Sequence, residues 1–167
     1  MEYSYWLYQI GNYTWLGYLI ALAIVFAIKA GDKSYYFGAT VLVIANLIMQ
    51  ILEPALVELS QYEKGLVRTI WYPTWAFCDL AAIYVIYKLH RRSQCTVKFV
   101  SKSLLISLAV LCVWQAVRYF DQFVLMTNSL AGAYKISVVS INIGCLFIAI
   151  LPVVTKLIEK KRSLSVL

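Results

Sequence analysis

The sequence predicts an all-α protein, a polytopic bundle of five transmembrane helices in a single domain covering residues 1–167. Hydrophobic residues make up 62% of the chain and the mean hydropathy is +0.76, well outside the balance of a soluble domain. A membrane admits only helices and closed barrels, because backbone polar groups must be satisfied without water. The apolar runs here are continuous, whereas barrel strands alternate, so helices are predicted.

Five apolar stretches approach the roughly 20 residues that a spanning helix needs. In chain order they are Tyr13–Ile28, Tyr36–Leu59, Val67–Tyr87, Leu104–Phe123 and Tyr134–Leu157. Short connections at Gly31–Ser34 and Ser60–Leu66 predict antiparallel neighbours. Small residues four apart predict close helix contacts, at Gly17 with Ala21 and at Ser140 with Gly144.

The residues before the first stretch predict an interfacial belt rather than a cleavable signal peptide. No Lys or Arg precedes the apolar run, as a signal peptide would require. Aromatic rings at headgroup level are typical of membrane interfaces, and six occur here: Tyr3, Tyr5, Trp6, Tyr8, Tyr13 and Trp15. The sequon that begins at Asn12 is too close to the predicted membrane for us to expect its modification.

The basic residues predict the orientation, with the N-terminus outside and the C-terminus in the cytoplasm of a plasma membrane (the inner membrane of a bacterium). Lys and Arg concentrate in cytoplasmic loops. With five spans, eleven of them share one side: Lys29, Lys33, Lys88, Arg91, Arg92, Lys98, Lys102, Lys156, Lys160, Lys161 and Arg162. A four-helix arrangement, with the first stretch outside the bilayer, leaves Lys29 and Lys33 unexplained.

This basic face predicts a contact with anionic lipid, which attracts basic residues near the membrane surface. The residues expected to make it are Arg91, Arg92, Lys98, Lys160, Lys161 and Arg162. An acidic cytosolic protein is the alternative partner. Nucleic acid is not expected, because no folded domain stands outside the membrane to present these charges. Homo-oligomerisation is expected, because five short helices enclose little space.

Metal ions and cofactors are not expected. Cys78, Cys112 and Cys145 lie inside predicted spans and Cys95 in a loop, without a C-x-x-C pair or a Cys/His ligand set. We expect all four to be free and to act as small apolar side chains. His90, the one histidine, is predicted in the basic loop without metal partners.

Polar residues inside the predicted spans lie on shared helical faces in the outer half of the membrane. Such residues are expensive in lipid and tend to face protein or water. They predict one ligand or ion cluster, formed by Glu53, Asp79, Arg118, Gln50, Gln115, Asn46 and Asn142. Pro54 predicts a kink beside Glu53, because proline cannot donate to the carbonyl four residues earlier.

Within this cluster, Arg118 is the expected counter-charge of Glu53 or Asp79, since a guanidinium pairs with carboxylates. The four amide side chains are expected to complete the hydrogen bonds. Arg68 and Asp121 are expected at the solvated interface. Trp71, Tyr72 and Trp75 suit an aromatic belt, with a ligand cage as the alternative. The cluster could instead serve as interhelical glue.

Three functions follow from these features. The first is a non-enzymatic membrane subunit that senses or binds at the outer polar cluster and couples to a cytosolic partner through the basic loop and tail. The second is a small oligomeric channel or ion-coupled transporter, suggested by Glu53-Pro54 and by Asp79 near the midplane. The third is a lipid-modifying membrane enzyme, although no known catalytic motif is present.

Overall fold

A computed structural model describes residues 2–164, with the side chains of residue 11 and of residues 13–163. The described chain consists of five α-helices joined by short connections, with no strand. They are α1 (Glu2–Ala27), α2 (Lys33–Tyr62), α3 (Lys64–Arg92), α4 (Phe99–Phe123) and α5 (Ala131–Leu164). The prediction of an all-helical fold is confirmed.

Most of the helices are longer than the apolar stretches that predicted them. The predicted connection Ser60–Leu66 is almost entirely helical, because α2 continues to Tyr62 and α3 begins at Lys64. Glu63 alone separates them, and its N–H donates to the Leu59 carbonyl at 2.9 Å. Helical hydrogen bonding therefore continues past the ends of the apolar stretches.

Three of the five helices are long and apolar enough to cross a membrane: α2, α4 and α5. Of the five predicted spans, these three therefore have the length and composition that a span requires among the described residues. The apolar part of α1 is short, covering Tyr13–Ala27. α3 has 29 residues, but its tryptophans, tyrosines, proline and Asp79 make it less hydropathic than the other long helices.

Part of the predicted aromatic belt lies outside the described side chains. This applies to Tyr3, Tyr5, Trp6 and Tyr8, and also to Asn12 of the sequon. Of the two remaining belt residues, Tyr13 is exposed and Trp15 is partly buried.

α1 and α5 pack side by side and run parallel. The Tyr18 hydroxyl, buried near the middle of α1, donates to the Asn142 carbonyl at 2.7 Å. Toward the end of the same pair, the Lys156 ammonium donates to the Lys29 carbonyl at 3.1 Å and to that of Ile28. These two contacts have nearly the same sequence offset, as expected for parallel helices in register.

Of the two predicted small-residue contacts, the one at Gly17 is made between described helices and the one at Gly144 is not. A Cβ at Gly17 would lie 3.0 Å from a methyl carbon of Leu146, so glycine allows α1 to approach α5. Gly144 has nothing within 4 Å of its Cβ position. The close approach predicted at Ser140 and Gly144 is therefore not made inside this chain.

The main apolar core occupies the half of the bundle that contains the start of α2 and the end of α3. α2, α3 and α4 pack on one another there, with α1 and α5 against them. The core side chains are Tyr18, Val41, Leu42, Val43, Ala45, Ala82, Ile86, Leu104, Leu108 and Cys145. All four cysteines are free thiols, as the sequence predicted.

A buried polar junction joins α2, α3 and α4 at this end of the bundle. The Ser34 hydroxyl lies 2.9 Å from His90 Nε2 and accepts from the Lys98 N–H at 3.0 Å. The Ser101 hydroxyl donates to the Ser34 carbonyl at 2.5 Å. One serine therefore connects three helices.

His90 belongs to this junction, so its predicted place in a loop is wrong. It lies in the last turn of α3 and is 3% exposed. Its Nδ1 lies 2.8 Å from the Ile86 carbonyl, which can only accept, so Nδ1 carries the proton. Nε2 and the Ser34 hydroxyl form the other hydrogen bond of the ring.

Asp32 begins α2 as its N-cap, where a side-chain oxygen satisfies a free helical N–H. Its carboxylate accepts from the Tyr35 N–H at 2.8 Å and pairs with the Lys98 ammonium at 3.1 Å. Partial burial favours a higher pKa for Asp32, but the hydrogen bonds and the positive charge of Lys98 lower the pKa overall. Asp32 therefore stays ionised beside α4.

Gly38 of α2 lies close to Ser101 of α4, and its replacement tests the junction. A Cβ at Gly38 would lie 2.7 Å from the Ser101 hydroxyl and 3.3 Å from its Cα. Gly38→Ala should lower the free energy of unfolding by about 1–3 kcal/mol, since overpacking displaces the backbone. Gly144→Ala, in open space, should raise it by up to about 1 kcal/mol, the helix preference of alanine.

The two variants are compared by detergent-driven unfolding in micelles, followed by circular dichroism. Equal effects of the two substitutions would show that the Gly38 contact does not hold α2 against α4.

Candidate functional site

A cavity of about 420 Å³ lies in the half of the bundle opposite the polar junction. Residues of all five helices line it, mostly apolar and aromatic. Seven polar residues were predicted from helical spacing to form one cluster, and all seven line this cavity: Asn46, Gln50, Glu53, Asp79, Gln115, Arg118 and Asn142. The shared faces of α2, α3 and α4 account for this convergence. Their role as a ligand site stays a prediction.

Asp79 is the most deeply buried carboxylate of the cavity. It is 2% exposed and lies one turn after Trp75, which also lines the cavity. Among the described residues, no side chain or N–H makes a hydrogen bond or ion pair with it. Burying a carboxylate without a partner is unfavourable, and in this respect Asp79 contrasts with Arg118, whose partners lie next to it.

Glu53 is the second carboxylate on the cavity wall and is only partly buried. Within the described part of the chain it also makes no ion pair. Pro54 follows it inside α2 and has no N–H to donate to the Gln50 carbonyl. The cavity wall therefore combines a carboxylate with a backbone oxygen that lacks its helical partner.

Arg118 does not pair with Glu53 or Asp79, so that prediction is wrong. Its guanidinium binds the Asp121 carboxylate and the Asn128 side-chain oxygen. It also lies 5.9 Å from the ring centre of Tyr72, within the range of a cation–π contact. Asp121 lies three residues after Arg118 on the same helix. Because this local ion pair holds the guanidinium, Arg118 forms no ion pair with the carboxylates on α2 and α3.

Asp121 organises the connection between α4 and α5, and its expected solvated position is also wrong. It is 1% exposed. Besides Arg118, its side chain accepts from the Thr127 hydroxyl, from the Ser129 hydroxyl at 3.0 Å and from the Leu130 N–H at 3.3 Å. A carboxylate followed by Thr127-Asn128-Ser129 is the signal that could have predicted this loop, since such side chains bond locally in turns.

Three of the four amide side chains around the cavity, those of Gln115, Asn46 and Asn142, contact groups other than the two carboxylates. Gln115 accepts from the Tyr134 hydroxyl at 2.7 Å, and Asn46 donates to the Leu42 carbonyl at 2.9 Å. The Asn142 amide oxygen lies 3.5 Å from the Tyr18 hydroxyl. The expectation that these amides satisfy Glu53 and Asp79 is therefore wrong for the described contacts.

Aromatic rings form much of the cavity wall. Trp71 and Trp75 meet edge to face with ring centres 5.4 Å apart, and Tyr72 meets Tyr134 in the same way at 5.6 Å. All four rings line the cavity. Trp75 is 8% exposed. It is therefore buried inside the bundle and does not belong to the aromatic belt at headgroup level that the sequence favoured.

The six residues predicted to contact lipid or a partner lie at the far end of the bundle from the cavity. Arg91 and Arg92 end α3, Lys98 precedes α4, and Lys160, Lys161 and Arg162 lie near the end of α5. All six are exposed. Lys98 additionally bridges to Asp32. The arrangement separates a basic end from the end with the cavity.

No family model matches the chain, and neither the curated proteins nor the solved structures include a significant match. Among the described residues, no group of three or more His, Cys, Asp and Glu side chains could hold a metal ion.

The two buried aspartates should differ in how much they stabilise the fold. Asp121→Asn weakens four contacts and leaves Arg118 buried without a full counter-charge, so it should lower the melting temperature clearly. Asp79→Asn removes an unpartnered charge from the bundle and should leave the melting temperature unchanged or higher. The exposed Glu58 provides a matched control in Glu58→Gln, which should have little effect.

Thermal unfolding of the three purified variants in the same detergent measures the difference. A larger loss of stability in Asp79→Asn than in Asp121→Asn would contradict these roles.

Proposed function

We propose that this chain is a non-enzymatic integral membrane protein that binds a small, partly apolar molecule in the cavity around Asp79. The observation that carries this proposal is the composition of the cavity. At about 420 Å³, it falls in the size range of small-molecule pockets, which are mostly apolar with a few converging polar groups. Four aromatic rings and two carboxylates match this composition.

Binding is favoured over conduction by the packing beyond the cavity. Leu42, Ala45 and Leu108 line the cavity and also belong to the apolar core. Beyond them, Ile86 and Leu104 are fully buried. A conducted ion requires polar groups or water along its path, and the described core residues offer neither.

The cavity proposal is tested by filling the cavity. Ala45 is 7% exposed and lines the cavity, whereas Ala55 lies on the same helix and is exposed. Ala45→Phe should abolish the thermal stabilisation that cavity ligands give to the wild type in a screen of small amphiphiles. Ala55→Phe should retain it. Stabilisation that persists in Ala45→Phe would exclude this cavity as the binding site.

We further propose that all five helices cross the membrane, with the N-terminus outside and the C-terminus in the cytoplasm of a plasma membrane. α1 and α3 each bury residues against the three apolar helices, including Val25 and Ile86, both 0% exposed. The basic end then faces the cytoplasm, where it meets anionic lipid and offers a docking surface for a cytosolic partner that responds to the cavity.

Reporter fusions test this topology. Five spans place a fusion after Glu63 outside and a fusion after Gln94 inside, so alkaline phosphatase should be active only at the first position. If only α2, α4 and α5 crossed, both positions would lie on the same side and the two fusions would give equal activity. Fluorescent protein at the C-terminus should be fluorescent, since it folds in the cytoplasm.

A further inference from the structure

We propose that the ligand of this cavity carries a positive charge, an alkylammonium group that binds the Asp79 carboxylate while an apolar body packs against the aromatic wall. This inference rests on the proposed function and adds the chemical class of the ligand. It depends on the charges that remain unpaired in and around the cavity.

The arginines near the cavity already have partners. Arg118 is bound to Asp121 and Asn128. With the Gln122 amide oriented to satisfy both of its neighbours, its oxygen accepts from Arg68 Nε at 2.6 Å and its nitrogen donates to the Tyr72 hydroxyl at 3.0 Å. Arg68 also lies 5.5 Å from the ring centre of Phe123. Neither arginine therefore forms an ion pair with Asp79.

Lys135 is the other cation on the cavity wall, and it is exposed. Within the described chain it forms no salt bridge with Glu53 or Asp79. Asp79 by contrast is 2% exposed. The deep part of the cavity therefore holds a carboxyl group that no cation of the described residues pairs with, and an ammonium group on a ligand would complement it.

The surroundings of Asp79 suit an organic cation better than a metal ion. Calcium and magnesium take six or more oxygen ligands, and no suitable group of acidic, histidine or cysteine side chains occurs among the described residues. An ammonium group on an apolar body can instead combine the carboxylate with ring faces, because aromatic rings attract cations. Trp71, Trp75 and Tyr72 provide these rings.

The test uses three probes with the same phenylbutyl body and different charge: 4-phenylbutylamine, 4-phenylbutan-1-ol and 4-phenylbutyrate. Saturable binding is measured by calorimetry at pH 7, with the protein in phosphatidylcholine nanodiscs and empty nanodiscs as the partitioning control. The wild type should bind the amine about tenfold or more tightly than the alcohol, as expected for a hydrogen bond between charged groups. It should bind the carboxylate more weakly than the alcohol.

Asp79→Asn should reduce the affinity for the amine to that for the alcohol and leave the affinity for the alcohol unchanged. The unchanged alcohol affinity shows that the variant is folded with its cavity intact. Glu58→Gln, which removes an exposed carboxylate from α2, should leave all three affinities as they are. Glu53→Gln should have a smaller effect than Asp79→Asn, because Glu53 is less buried.

The outcomes separate this inference from the proposed function. If the alcohol or the carboxylate binds as tightly as the amine, or if Asp79→Asn retains the amine preference, the ligand is not cationic and the binding cavity stands. If none of the probes binds saturably, or if all bind equally to Ala45→Phe, both proposals are overturned.

Discussion

A charge inside an apolar helical bundle needs its counter-charge or its hydrogen bonds from the protein itself, since neither lipid nor apolar side chains can supply them. Asp121 meets this requirement completely. Arg118, two hydroxyls and a backbone N–H surround its carboxylate, all from within nine residues of the same chain segment. These contacts hold residues 127–130 against the end of α4 and so fix where α5 begins. Tyr134, which lines the cavity, lies in the first turn of α5.

The two ends of the bundle deal with polar groups in opposite ways. At the basic end, Ser34, His90 and Ser101 satisfy one another and close the space between three helices. At the other end, Arg118, Gln115 and Asn46 bond to partners nearby in the sequence or on the adjacent helix. A cavity remains between the helices there. Among the cluster residues, Gln115 with Tyr134 and Asn142 with Tyr18 make hydrogen bonds between helices, and none of the described hydrogen bonds includes Asp79.

Helical spacing could predict which residues meet, because it depends only on a period of 3.6 residues. It placed Asn46, Gln50 and Glu53 on the face of α2 that lines the cavity, and it brought Asp79 and Gln115 to the same place. Spacing could not predict the pairing of Arg118. Asp121 lies three residues later on α4, a separation at which side chains meet on a helix, and spacing alone does not choose between this near partner and a carboxylate on α2 or α3.

Helix ends and burial were harder to predict for a related reason. The apolar pattern marks where lipid can surround a helix, whereas helical hydrogen bonding continues beyond it, so the pattern predicts loops at Ser60–Leu66 and at His90 where the structure has helix. Trp75 was assigned to a belt because tryptophan suits a membrane interface. In the structure, side chains of neighbouring helices bury Trp75. The pattern of one helix does not show which side chains of other helices lie against it.

The contrast between Asp79 and Asp121 bears on why the cavity exists. An asparagine or an apolar residue at position 79 would avoid the desolvation of a carboxylate, and the helices would pack without it. Sites that bind or react commonly give up some stability for function. Asp79 makes no hydrogen bond or ion pair among the described residues, so under the proposed function the ligand supplies the partner that offsets the cost of its burial.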